Sequence, residues 1–329
     1  MIARRAVLGA AAAALTGAAR FARAATRGEI TLTATDVHVA GYPTVAAVEW
    51  MSRELTSATD GRLGIRVYHS GQLGREGDTV DLARFGAIDI TRVNFAAINN
   101  AFPLTRVAAL PFVFQSTAHM RRAIDGAAGR AILAGFEKRG LVGLAIYDSG
   151  VRNIYNVRRP VVEPRDLNGL KLRVPPSDVF VAALRSFGAN PTPLALGEVY
   201  SALQTHLIDG AENNVKSFDS SRHFEVARFW SETRHSYSPE ALLLSCRRFD
   251  KLAPTDRERL RELAAASVPH MRKLWDAAES ASRAKVVAAG VRINEVDQAA
   301  FRRATARLMQ RELAEPEQRA LYDAIEAAA

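Results

Sequence analysis

Residues 169–180 read GLKLRVPPSDVF. Leu170, Leu172 and Val174 alternate with Lys171 and Arg173, the period of two expected of a short half-buried strand, and Pro175-Pro176 forbids its continuation. A helical stretch follows from Ser177 to Phe187. Strand handed directly to helix is one half of a βα repeat, and Arg173 stands where the strand leaves the sheet.

The same alternation extends upstream. EITLTATD (29–36) reads as a strand, PTVAAVEWMSRELTSATDGR (43–62) as an amphipathic helix with Val45, Val48 and Leu55 inward, and RLGIRVYHS (62–70) as the next strand. TVDLARFGAIDITRVN (79–94) supplies a helix ending near Gly86 and a short strand. ALPFVF (109–114), a helix from about Thr117 to Arg139 and the strand LVGLAIYDS (141–149) come next. A second series starts near Gly150 with VRNIYNV, LKLRV, the Ser177–Phe187 helix and another helix at EVYSALQTH, after which DGAENN (209–214) is expected to turn into SFDSSRHFEV. Repeated βα units imply an α/β fold with mainly parallel sheets covered on both faces. Residues 255–290 then keep helical periodicity across a span too long for an ordinary globular helix, with one expected kink at Pro269. Such a helix covers roughly 50 Å, enough to run from one lobe to another; a coiled-coil arm is the alternative, against which the Ala-rich faces lack sustained Leu/Ile heptads.

The first 24 residues, MIARRAVLGAAAAALTGAARFARA, have a charged start, a small apolar middle and a closing Ala22-Arg23-Ala24, the form of a cleavable export signal. Arg4-Arg5 leaves the twin-arginine and general routes both open. Removing Arg4, Arg5, Arg20 and Arg23 with this segment lowers the formal charge of the 329-residue chain from +9 to +5. Charges of both signs are interspersed and aromatic residues are 7% of the chain, which gives a nucleic-acid groove little support. Cys246 is the only cysteine, so neither an intramolecular disulfide, a thiolate metal cage nor a CxxC pair can form.

Catalytic signatures are absent: there is no G-x-S-x-G, H-E-x-x-H, P-loop or G-x-G-x-x-G after a strand. The seven histidines never recur at i, i+3 or i+4. No cofactor is implied. What the chain offers is arginine and amide at strand ends. Arg152 enters the first strand of the second series and Arg173 leaves its neighbour, while Asn213 and Asn214 follow the glycine of DGAENN. In open α/β sheets ligands bind outside the carboxyl ends of strands, and a guanidinium there can hold a carboxylate through two parallel hydrogen bonds. Each arginine could equally serve a structural ion pair.

The block LNGLKLRVPPSDVFVAALRSFGANPTPLALGEVYSALQTHLIDGAENN (167–214), with GRLGIRVYHSGQLG, LPFVF and the long helix, resembles the DctP-type substrate-binding proteins of tripartite ATP-independent periplasmic (TRAP) transporters across nearly all of the mature chain. That resemblance implies a two-lobed venus-flytrap receptor in the periplasm, with two strands and a long kinked helix crossing between lobes. Such a receptor closes on an organic acid and delivers it to TRAP membrane permease subunits. The lobes are expected at 27–149 with 239–278, and at 150–238 with 279–329, in a monomer. The family's main carboxylate-binding arginine falls on Arg173, a second arginine on Arg152, and the asparagine of its G-x-E-N turn on Asn213, with Glu212 serving the turn or a hydroxyl. Leu196 departs from the aromatic residue many members carry against the ligand.

TDVHVAGYPTVAAVEWM, YHSGQLGREGDT and ITRVNFAAINN look like the branch associated with hexuronates such as glucuronate and galacturonate. A sugar acid needs several hydroxyl partners beside one carboxylate clamp, and His38, Glu76 and Asn94 are placed to supply them. Their ordinary roles would be a capped helix start, a solvated first-turn acid and a turn amide. A C4-dicarboxylate would ask for a second cation, which these first-lobe residues do not offer. A sugar-acid isomerase or lyase using Glu212 or His38, and a receptor reporting to a signalling partner, are the rival readings.

Overall fold

The computed structural model describes residues 29–329; the expected export segment lies outside them. In chain order the strands are β1 (Ile30–Thr35), β2 (Leu63–Tyr68), β3 (Ile90–Asn94), β4 (Leu141–Tyr147), β5 (Arg152–Asn156), β6 (Lys171–Val174), β7 (Asn190–Pro193), β8 (Gly210–Asn213), β9 (Phe229–Ser236), β10 (Glu240–Ser245) and β11 (Arg292–Asn294). They form two sheets, one in each lobe, ordered β2-β1-β3-β10-β4 and β11-β9-β5-β8-β6-β7.

Both sheets are mixed, because each receives a strand that returns from the other lobe. In the first sheet β10 runs antiparallel to β3 and β4, and in the second β5 runs antiparallel to β8 and β9. The chain crosses from β4 to β5 through Asp148–Val151 and back from β9 to β10 through Tyr237–Pro239. Tyr147 opposite Glu240 and Arg152 opposite Ser236 keep these two crossings side by side. Apolar side chains cover both faces of the sheets. Ala241 and Leu243 of β10 enter one cluster and Leu242 and Leu244 the other, the alternation a pleated strand dictates.

The helix Pro254–Ala288 runs without a break through Pro269. Leu260, Ala264, Met271 and Trp275 are buried in the first lobe's core, and Val286 in the second's. One helix therefore belongs to both cores. Gly150, at the first crossing, has φ +64, and a Cβ there would stand 2.8 Å from both Trp275 and Glu279 of this helix. Glycine is thus required by conformation and by space.

Three expectations change. The stretch from Thr117 to Arg139 is two helices, Thr117–Asp125 and Ala127–Glu137, parted at Gly126. DGAENN is not a turn: Gly210–Asn213 is a central, fully buried strand between β5 and β6. The C-terminal segment does not stay with the second lobe. Phe301 and Leu308 pack there, but Leu321 and Ile325, one helical turn apart, dock on the first lobe's helices, where His119 Nε2 meets the Ile325 carbonyl at 2.8 Å.

Candidate functional site

The two crossings bring strand ends of both lobes around one chamber. His38, Glu76, Asn94, Arg152, Arg173 and Asn213 all line it, joined by Ser149, Ser217, Glu240, Pro175 and Leu196. The lobes touch around it: the Tyr42 and Ser217 hydroxyls are 2.9 Å apart, Asn99 Nδ2 donates to Ser177 Oγ at 2.8 Å, and at the outer rim Arg75 pairs with Glu198 at 2.7 Å.

Arg173 reaches the chamber because β6 alternates: Leu172 and Val174 face the second lobe's core, leaving the side chain between them on the other face. It is 4% exposed. Nε donates to the Leu194 carbonyl at 2.8 Å, fixing the fork's orientation. No carboxylate among the described residues lies within ion-pairing distance. Burial lowers its pKa from the ordinary arginine value, with Glu212 pulling the other way. Arg92 and Arg152, the other two buried arginines among the described residues, are both paired. A buried charge without a counter-charge is costly, and this one lines the chamber.

Arg152 sits beside it in a different condition. Its Nε and Nη2 donate to the two Glu212 oxygens at 2.6 and 2.7 Å, and its Nη1 reaches Asn213 Oδ1 at 3.2 Å. Burial alone would lower the Arg152 pKa and raise that of Glu212; each partner's charge overrides it, so the arginine is held above its ordinary value and the acid below. His235 Nε2, 3.3 Å from Glu212, adds to the pair. Asn213 Oδ1 also accepts from the Asn214 backbone at 2.8 Å, which turns its Nδ2 into the free donor of that side chain.

The opposing wall is acidic, and its organiser was not legible in the sequence. Arg92, 1% exposed in the middle of β3, pairs with Asp36, with Glu76 at 2.9 Å and with Glu240 at 3.2 Å. Burial raises the Glu240 pKa, but Arg92, with help from His38 and Ser149, overrides it and holds the carboxyl down at about 2. Glu76 Oε1 accepts from Arg92 and the Asn94 amide, leaving Oε2 for the chamber. Asn94 is largely occupied by structure: Oδ1 caps the Phe95–Ile98 helix at Ala96 N, and Nδ2 donates to the Ser238 carbonyl at 3.0 Å. His38 stacks on Tyr42 with centroids 3.6 Å apart and puts Nε2 at 3.8 Å from Glu240. Arg92 is the one charged residue of ITRVN and Glu240 of EALLLS, which is the signal that could have found them.

An inter-lobe chamber with one unpaired cation is what a solute receptor requires. The model of the bacterial extracellular solute-binding protein family 7, DctP, matches residues 35–315. This chain belongs to that family. A solute-binding protein of Chromohalobacter salexigens is 38% identical over 80% of the DctP-family chain described here and 78% of its own length. A TRAP periplasmic solute-binding protein from Bradyrhizobium, solved in complex with galacturonate, is 46% identical, with TM-score 0.89 over 91% of this chain and 100% of its own. Another from Roseobacter denitrificans, with bound glucuronate, is 38% identical, with TM-score 0.88 over 91% and 99%. The family and its solved members are receptors that bind small organic acids and work with membrane permease subunits. The DctP-family fold of this chain is accordingly the two-lobed α/β receptor, its long helix present at Pro254–Ala288.

Proposed function

We propose that this protein is a periplasmic receptor that captures a hexuronate, glucuronate or galacturonate, and hands it to TRAP permease subunits. The observation that carries the reading is Arg173: buried, oriented by Leu194 and without an acid partner, facing a wall of hydroxyl acceptors. The ligand carboxylate meets its free Nη groups, and Asn213 Nδ2 donates beside them. Arg152 acts chiefly as a positioning residue, its fork held by Glu212, while Nη1 stays at the chamber wall. Glu76 Oε2, Glu240 and His38 take sugar hydroxyls, and Asn94 shapes the floor.

Charge orders the ligand. On the second lobe Arg152 and Arg173 exceed Glu212 by one positive charge; on the first, the carboxylates Asp36, Glu76 and Glu240 exceed Arg92 by two negative charges. A solute with a carboxylate at one end and hydroxyls at the other fits this polarity. A dicarboxylate would place its second anion against the acidic wall, since the first-lobe cation Arg92 is already saturated. The relatives described with bound galacturonate and glucuronate support the same class.

Covalent chemistry is not part of this reading. Glu212, the general base of the isomerase alternative, has both oxygens bound by Arg152 and its pKa lowered. Residues 1–24 direct export, and the mature chain acts as a monomer. Calorimetric titration tests the assignment: D-galacturonate or D-glucuronate should bind, succinate should bind at least about tenfold more weakly, and Arg173→Ala should weaken hexuronate binding by about 100-fold or more. Near-normal binding by Arg173→Ala, or chemical change in the recovered ligand, overturns it.

A further inference from the structure

Outside the chamber, between the same two lobes, lies a vestibule of about 620 Å³. Glu76, Arg173 and Leu196 border both spaces, so the vestibule adjoins the site. It is not simply an unclosed cleft. The Tyr42–Ser217 and Asn99–Ser177 contacts are made, and Arg75 and Glu198, which line the vestibule from opposite lobes, already form their 2.7 Å pair. Closure as it stands leaves room for a group larger than water at the outer edge of the ligand.

The lining specifies that group. Pro176, Pro193, Leu194 and Leu196 give an apolar wall from the second lobe, suited to the C–H face of a pyranose or furanose. Facing it are the glycine-rich 70–77 segment with Glu76, and Asp78 beside it, while a third acid, Glu198, stands on the second lobe next to the wall. Of the two cations present, Arg75 is held by Glu198, and Arg173 is the carboxylate clamp. No cation remains for a second acid group, and a second carboxylate would meet net negative charge.

We propose that the vestibule is a second sugar subsite, and that the receptor accepts a uronate joined through a glycosidic bond to a neutral sugar as well as the free uronate. This rests on the hexuronate reading, and the test separates the two. The probes are D-glucuronate, an aldobiouronic acid (glucuronate linked through its anomeric carbon to xylose) and digalacturonate, titrated into the purified protein and into Gly197→Phe and Gly77→Phe. Both glycines line the vestibule without lining the chamber, and a Cβ at either meets nothing within 4 Å, so a phenyl ring has space to enter it. The aldobiouronic acid should bind within about tenfold of glucuronate, and digalacturonate about tenfold or more weaker than the aldobiouronic acid. Each phenylalanine should cost the disaccharide about tenfold or more and the monosaccharide less than about threefold. The proposal is overturned if glucuronate binds while the aldobiouronic acid is about 100-fold weaker, or if the variants weaken both ligands alike. Failure of both D-glucuronate and D-galacturonate to bind would remove the hexuronate reading, and the second subsite with it.

Discussion

Arg152 on β5 and Arg173 on β6, with β8 between them, are nearly equally buried, and their opposite pairing makes opposite predictions. Truncating one partner of a buried ion pair strands the other, at a cost of about 3–5 kcal/mol. Arg152→Met should therefore destabilise the fold by about that amount, and Arg152→Met/Glu212→Met should recover most of it in urea titrations; additive losses would show that the pair is not coupled. Removing Arg173 strands no charge and leaves only the half-buried Leu194 carbonyl without its donor. Arg173→Met should leave the unliganded melting temperature unchanged or higher while abolishing the upward shift that hexuronate gives the parent protein. A fall of several degrees in the unliganded variant would mean a structural partner for Arg173 exists. All six site residues read from the sequence share the chamber, because strand-end polarity is a local signal. The sequence could not show which of them are spent on one another. Arg152's engagement with Glu212, Asn94's cap and the Arg92 network are tertiary facts, made between segments far apart in the chain.

Elements were legible where periodicity was clean. The Pro43–Ala58 helix, β6 and the long helix announce themselves by an apolar repeat; β9 and β10 do not. FWSETRHS is a largely buried strand full of polar side chains, and EALLLS is buried on both faces, so neither shows the polar/apolar alternation of a half-exposed strand. GAEN and NPTP carry turn residues, yet one is a central strand and the other an edge strand, where proline's missing N–H is tolerated. The crossing element is the most constrained of all at Gly150, which combines a left-handed backbone with contact to Trp275 and Glu279. Gly150→Ala should cost about 1–3 kcal/mol, measured by urea unfolding, because both the φ +64 backbone and the helix position must yield. An unchanged midpoint would show that the first crossing and the long helix move apart easily.

At the scale of the molecule, two lobes share a helix and exchange strands, so acidic pH must act on both together. The Glu240 and Glu212 carboxyls are held below the ordinary glutamate value of 4.5, Glu240 at about 2, by Arg92 and Arg152 across the chamber. Their folded-state pKa values lie below the unfolded ones, so the stability they contribute is fully present above about pH 4.5 and is lost as pH falls through the folded value. For Glu240 the difference amounts to about 3 kcal/mol by linkage. Urea unfolding from neutral pH downward should show this loss beginning below about pH 4.5. Glu240→Gln should be the less stable protein at neutral pH, with its curve converging on the parent's as pH approaches 2. Parallel curves would show that Arg92 does not hold Glu240 ionised, which would leave the first-lobe wall without the negative charge that selects a mono-acid carrying hydroxyls over a dicarboxylate.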